Sequence, residues 1–109
     1  MSITATAFFG DKERPFTLTD ELVMELETIT GTGIGTLFQR LVGQSFKLAD
    51  LSEVIRLGLI GGGTNPEEAA RLVNSYARNR PIAEVRPLAT AILACRWLGT
   101  EAALKAEEE

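Results

Sequence analysis

The chain has 109 residues, 11 Lys+Arg against 15 Asp+Glu, no histidine, one cysteine and 45% hydrophobic residues, enough for one compact domain and too few for two. The lack of histidine excludes Ser-His-Asp, Cys-His and histidine-zinc chemistry. A net charge of −4 argues against broad electrostatic binding of nucleic acid, and no apolar run approaches the ~18–20 residues needed to span a bilayer.

Lone Cys95 cannot close an internal disulfide, so the fold must rest on its core, as suits a reducing cytosol. The first residues, Met1 to Thr6, carry no positive region ahead of an apolar stretch, which argues against export by the general secretory route.

Residues 3 to 18 alternate with a period of two. Ile3, Ala5, Ala7 and Phe9 point one way, and Thr4, Thr6 and Phe8 the other, which predicts a strand with either face open to burial. Gly10-Asp11-Lys12-Glu13 predicts a turn, and Pro15-Phe16-Thr17-Leu18 a second strand with Pro15 at its start or on an edge. Thr19 or Asp20 can cap a first helix bearing Leu22, Leu26 and Ile29. Gly31, Gly33 and Gly35 end it, and a second helix carries Ile34, Leu37, Phe38, Leu41 and Val42.

A third helix uses Leu48, Leu51, Val54, Ile55 and Leu59 and stops at Gly61-Gly62-Gly63. Asn65-Pro66-Glu67-Glu68 predicts a sharp helix start, with Asn65 as cap, Pro66 at the first position and Glu68 completing a capping box. The buried face of that fourth helix is expected at Ala69, Leu72, Val73 and Tyr76. Pro81 opens a last helix carrying Ile82, Val85, Leu88, Ala89, Ile92 and Leu93, which Pro87 is expected to kink or divide. The fold expected is α+β: an N-terminal β-hairpin packed on four or five α-helices in one mostly helical domain, residues 3–99, followed by an acidic tail, residues 100–109. Leu22, Leu26, Leu37, Leu41, Leu51, Ile55, Leu72, Val73, Ile92 and Leu93 are the expected core.

No catalytic constellation emerges. The Gly31–Gly35 run has Thr36 where a dinucleotide fingerprint needs glycine and follows a helix where a strand is required, so it reads as a helix-to-helix bend. Gly61-Gly62-Gly63 reads as helix stop, turn and cap, and the carboxylate pairs Glu25/Glu27 and Glu67/Glu68 do not make acid-base couples. Cys95 reads as a small buried hydrophobe. Arg71, Arg78, Arg80 and Arg86 form the one basic concentration, either a solvated face or a contact for an acidic partner. Trp97 either closes a core or anchors a partner. Neither a metal nor a cofactor is expected.

The segments Phe16-Thr17-Leu18-Thr19, Leu22, Leu26-Glu27 and Gly33 are followed by Asp50-Leu51 and Val54-Ile55-Arg56-Leu57-Gly58-Leu59-Ile60-Gly61-Gly62-Gly63. Pro66-Glu67-Glu68-Ala69, Leu72-Val73, Tyr76, Arg80-Pro81 and Pro87-Leu88-Ala89-Thr90-Ala91-Ile92-Leu93 come after. Taken together the pattern resembles the small tail-cluster proteins of gene transfer agents, the phage-like particles with which alphaproteobacteria package host DNA. The resemblance implies a non-enzymatic protein of tail assembly, either a chaperone binding the tape-measure or tail tube protein, or a structural component associated with the tail tube. The chaperone is the reading preferred from sequence, because a tube subunit is expected to build its ring from extended β-sheet and only one hairpin is visible. The partners implied are tail proteins, with no nucleic acid and no membrane, and self-association through the hairpin edge is open. The place implied is the cytoplasm of the producing bacterium, and the particle if the protein stays in it. Phe8, Arg71, Arg78, Arg86 and Trp97 are the expected partner contacts.

Overall fold

In the computed structural model, which describes residues 2–108 and their side chains as far as residue 106, the alternating segment forms an antiparallel hairpin of β1 (Thr4–Phe9) and β2 (Lys12–Thr17). The turn is tighter than the four residues expected: Phe9 already pairs with Lys12, leaving only Gly10 and Asp11 in the loop. Gly10 takes the left-handed φ of 77° such a loop demands. Arg14 braces it, its Nε donating to the Phe9 carbonyl at 3.2 Å and its guanidinium pairing with Asp11 at 3.1 Å.

The register decides which face is buried. Ala5 pairs with Phe16, and Ala5, Phe9, Phe16 and Leu18 are all buried, with the Phe9 and Phe16 rings edge to face at 6.0 Å. Phe8 lies on the opposite face, 68% exposed. In an antiparallel ladder, hydrogen-bonded and non-bonded pairs alternate. Counted from the closing Phe9–Lys12 pair, Thr4, Thr6 and Phe8 turn their backbone groups away from β2, and Glu13, Pro15 and Thr17 turn theirs away from β1. Pro15, lacking an N–H, therefore costs the ladder nothing.

The outer edge of β2 is closed by α3 (Leu48–Gly61). A Cβ on Gly61 would lie 1.7 Å from the Thr17 carbonyl oxygen, and one on Gly62 would lie 2.0 Å from that of Pro15. Only glycine admits backbone this close. The triple glycine is thus a helix stop, as expected, and also the surface on which the hairpin seats. Gly58 one turn earlier meets the Phe16 Cβ and Ile92. Leu51, Val54, Ile55, Leu57 and Leu59 of α3 are fully buried, because the helix is packed by β2, α1 (Asp20–Thr30), α4 (Pro66–Tyr76) and α5 (Ile82–Leu98).

Local signals set the helix ends. Thr19 is the cap of α1, its Oγ1 accepting from the Leu22 N–H at 3.3 Å. Asn65 caps α4 through the Glu68 N–H at 2.8 Å with Pro66 in the first turn. The expected capping box is only half made, because the Glu68 carboxylate turns to Arg71 instead. In α3, the buried Asp50 carboxylate accepts from the Lys47 N–H at 2.8 Å, while its other oxygen has no hydrogen-bond partner among the described residues.

All the expected core residues except Leu22, which is half-buried, are buried. Five apolar residues expected to face inward are instead exposed: Ile29, Val42, Leu48, Tyr76 and Ile82. In α1 the buried row is Leu22, Leu26 and Thr30, four apart, which leaves Ile29 at the margin. Val42, Leu48 and Ile82 lie in the first or last turn of their helices, and Tyr76, in the last turn of α4, is covered on one side only, by the hairpin turn. Pro87 does not divide α5, which runs unbroken from Ile82 to Leu98.

Among the described residues six helices form where four or five were expected: α2 (Ile34–Gly43) is the expected second helix, and the segment read as an acidic tail adds α6 (Thr100–Glu108). Ala103 of α6 is buried. The Thr100 N–H donates to the Ser2 carbonyl at 2.9 Å, and its hydroxyl to the Thr4 carbonyl at 2.7 Å. The last residue of the expected tail, Glu109, lies outside the described residues.

Replacing Gly61 or Gly62 by alanine is expected to destabilise the protein by about 3 kcal/mol or more, since backbone must move apart. Gly43→Ala, at a helix end where a Cβ meets nothing within 4 Å, should change stability by less than about 1 kcal/mol, on the favourable side. Urea denaturation of the three variants checks the contrast.

Candidate functional site

The two glycine runs do not make ligand sites. Between α1 and α2, Gly31 takes a left-handed φ of 69° and closes α1 through its N–H to the Glu27 carbonyl. The Glu27 carboxylate then accepts from the Ile34 N–H at 2.9 Å. A protein carboxylate thus occupies the anion position at the start of α2. Arg40 donates to the Thr32 hydroxyl at 3.0 Å and fixes the bend. The second run is filled by β2, as described above.

The five residues expected to contact a partner do not line one cavity. Arg86 reaches across the chain to donate to the Leu41 carbonyl at 2.9 Å and the Val42 carbonyl at 3.1 Å, so it caps the C-terminus of α2. Arg71 is paired with Glu68 on its own helix, which pushes its guanidinium further up from its ordinary range. Arg78 is exposed and lines, with Arg80 and Ile82, a hollow of about 410 Å³ beside the start of α3. Trp97, 56% exposed, lies against Phe38 with ring centres 5.7 Å apart and an angle of 36°, and a Cβ on Gly35 would lie 3.6 Å from its ring, so it joins α5 to α2. Phe8 alone of the five borders the larger groove.

That groove, about 570 Å³, runs along the outer edge of β1 between the hairpin, α5 and α6, and opens down to Ile55 of α3. Leu88, Ala91 and Ala94 of α5 and Leu104 of α6 make an apolar wall. Tyr76 stands at one end, 37% exposed, its ring edge to face with Phe9 at 6.0 Å and folded over Gly10. Glu84 is the one charged residue lining the groove among those described. Above it, Thr4 is engaged by Thr100, whereas the outward N–H and C=O of Thr6 and Phe8 make no hydrogen bond among the described residues. Glu84, Tyr76 and the buried Cys95 are the titratable side chains that line the groove among the described residues. An open strand edge above an apolar trough is a surface that can accept an extended chain.

Of the residues singled out from sequence, Phe8 is exposed beside this groove, whose walls the sequence reasoning missed. Leu88 read as part of the last helix's apolar stripe and Leu104 as part of the tail, because a groove formed by three distant elements leaves no periodic signal in any one of them.

A family model described as phage tail tube protein, GTA-gp10, matches residues 2–99. No curated protein and no solved structure matches the chain. The match spans both strands and the first five helices, and the chain belongs to this family of gene transfer agent tail proteins. It is a protein related to phage-like tails.

The hydrogen bond from Arg14 holds the Asp11 carboxyl below the usual aspartate range. With its folded-state value depressed, Asp11 helps the hairpin above the unfolded-state value, and this help is lost as pH falls through the folded value. Carboxyl NMR titration should find Asp11 lowered in the native protein and returned towards the ordinary value in Arg14→Gln. An unshifted Asp11 in the native protein contradicts the brace.

Proposed function

We propose that the chain is a structural component associated with the tail tube of a phage-like particle, acting by protein–protein contact and not by catalysis. The observation that supports it most strongly is the family match over residues 2–99. The groove beside β1 agrees, its wall being made largely of apolar side chains. On this reading the protein joins tail proteins in the producing cell and remains in the assembled particle.

A second reading, a chaperone that holds the tape-measure or tube protein until it polymerises, is favoured by one observation. The described residues hold a two-stranded sheet in a mostly helical fold, whereas a tube ring is ordinarily closed by sheet continued from subunit to subunit.

Quantitative mass spectrometry of purified particles separates the two. The structural reading expects the chain at a fixed ratio to the other tail proteins. The chaperone reading expects it in the assembling cell and not in finished particles. Both expect deletion of the gene to leave DNA-filled heads with tails absent or of wrong length, and normal tails in the deletion strain would contradict both.

A further inference from the structure

We propose that the outer edge of β1 is a strand-addition site, at which an extended, alternately apolar segment of another tail protein, neutral or basic in charge, pairs with the backbone of Thr6 and Phe8. The inference rests on the tail reading above for the identity of the partner, but its geometry stands on the hairpin alone. Thr6 and Phe8 each present an N–H and a C=O outward, two residues apart, with no hydrogen bond among the described residues. That is the spacing at which an added antiparallel or parallel strand bonds.

Most of the remaining edge is blocked by the fold, Glu13 beside the turn being the exception. The β2 edge is closed at Pro15 and Thr17 by Gly61 and Gly62, and the start of β1 is closed by Thr100 on the Thr4 carbonyl. The open stretch is therefore short, centred on Thr6 to Phe8. It fits a few residues of partner chain.

The groove fixes the chemistry of the occupant. Alternate side chains of an added strand would point down towards Leu88, Ala91 and Leu104, and the intervening ones would lie beside exposed Phe8 on the outer face. Glu84 lines the trough and Glu13 is the cross-strand neighbour of Phe8, with no lysine or arginine lining the groove among the described residues. A strand carrying acidic residues would meet like charge, and one carrying lysine would meet opposite charge. The same acids disfavour a second copy of this chain, because two-fold pairing of β1 with itself would bring two grooves of one sign together.

The test uses the full chain and synthetic peptides. The probe is an acetylated, amidated seven-residue peptide of alternating valine and threonine flanked by lysines, and its controls are the same peptide with N-methyl groups on alternate residues and with aspartates as flanks. NMR titration should move the Thr6 and Phe8 amides more than those of Ala5 and Ala7. N-methylation in the register that faces β1 should weaken binding about tenfold, as should the aspartate flanks. On the protein side, Thr6→Pro should weaken binding about fivefold to tenfold. It places a second proline directly opposite Pro15, at a position whose N–H is not used within the hairpin. The N-methylated peptide reads the same bonds with the native protein, so the result does not depend on that variant folding.

No binding of the lysine-flanked peptide, or binding that shifts residues other than those of β1 and the groove, overturns the site. So does a free chain that sediments as a dimer with Thr6 and Phe8 at its interface. In either case the tail reading stands or falls separately, on the composition of the particle.

Discussion

The structure depends on the contact between the end of α3 and the backbone of β2. A two-stranded hairpin is marginal by itself in water, and here it is held by backbone lying on backbone, with Gly61 and Gly62 against the Thr17 and Pro15 carbonyls. That approach places Phe16 against Gly58 and Ile92, and through Phe16 it positions Phe9 and the whole inner face of the sheet. It also covers one of the hairpin's two edges. With β2 blocked at Pro15 and Thr17, the longer open edge of the hairpin is that of β1, and α5 and α6 form an apolar trough beneath it.

What lies at the ends of the trough follows from the same seating. Tyr76 ends α4 over the hairpin turn, packed on Phe9 and on Gly10, where a side chain would collide with its ring. At the other end Thr100 ties α6 to the first residues of β1. The open edge is bounded at both ends by contacts between residues far apart in sequence. A surface of this kind recognises extended chain by main-chain hydrogen bonds and selects it by side-chain alternation and charge, which is compatible with membership of a family of tail proteins.

Much of the fold was legible in the sequence because its signals are local. Alternation from Ile3 to Phe9, Thr19 and Asn65 as caps, Pro66 in the first turn and the glycines after α1 and α3 each act within a few residues, and each appears in the structure. The signals that failed are the ones decided by distant neighbours. Ile29, Val42 and Leu48 carry the right periodicity but have no element over them, and Thr30, a polar residue, is buried because its hydroxyl donates to the Leu26 carbonyl at 2.8 Å. Arg86 looked like a surface cation and caps a helix more than forty residues away. The segment after Gly99, rich in Ala, Glu and Lys, could be read as a helical extension with a solvated acidic end, but not its seating through Ala103, whose buried side chain is small. The candidate site was half legible: Phe8 and the open edge could be read from β-alternation, but the groove walls could not, nor could the closure of the other edge by glycine.

Native-state hydrogen exchange of the isolated chain, resolved by residue, tests the central claim most directly. The seating of β2 on α3 predicts slow exchange at Ala5, Ala7 and Phe9, whose N–H groups lie in the ladder, and fast exchange at Thr6 and Phe8 on the open edge. Protection at Thr6 and Phe8 equal to that at Ala5 and Ala7 would mean that the edge is already covered, and would contradict the account.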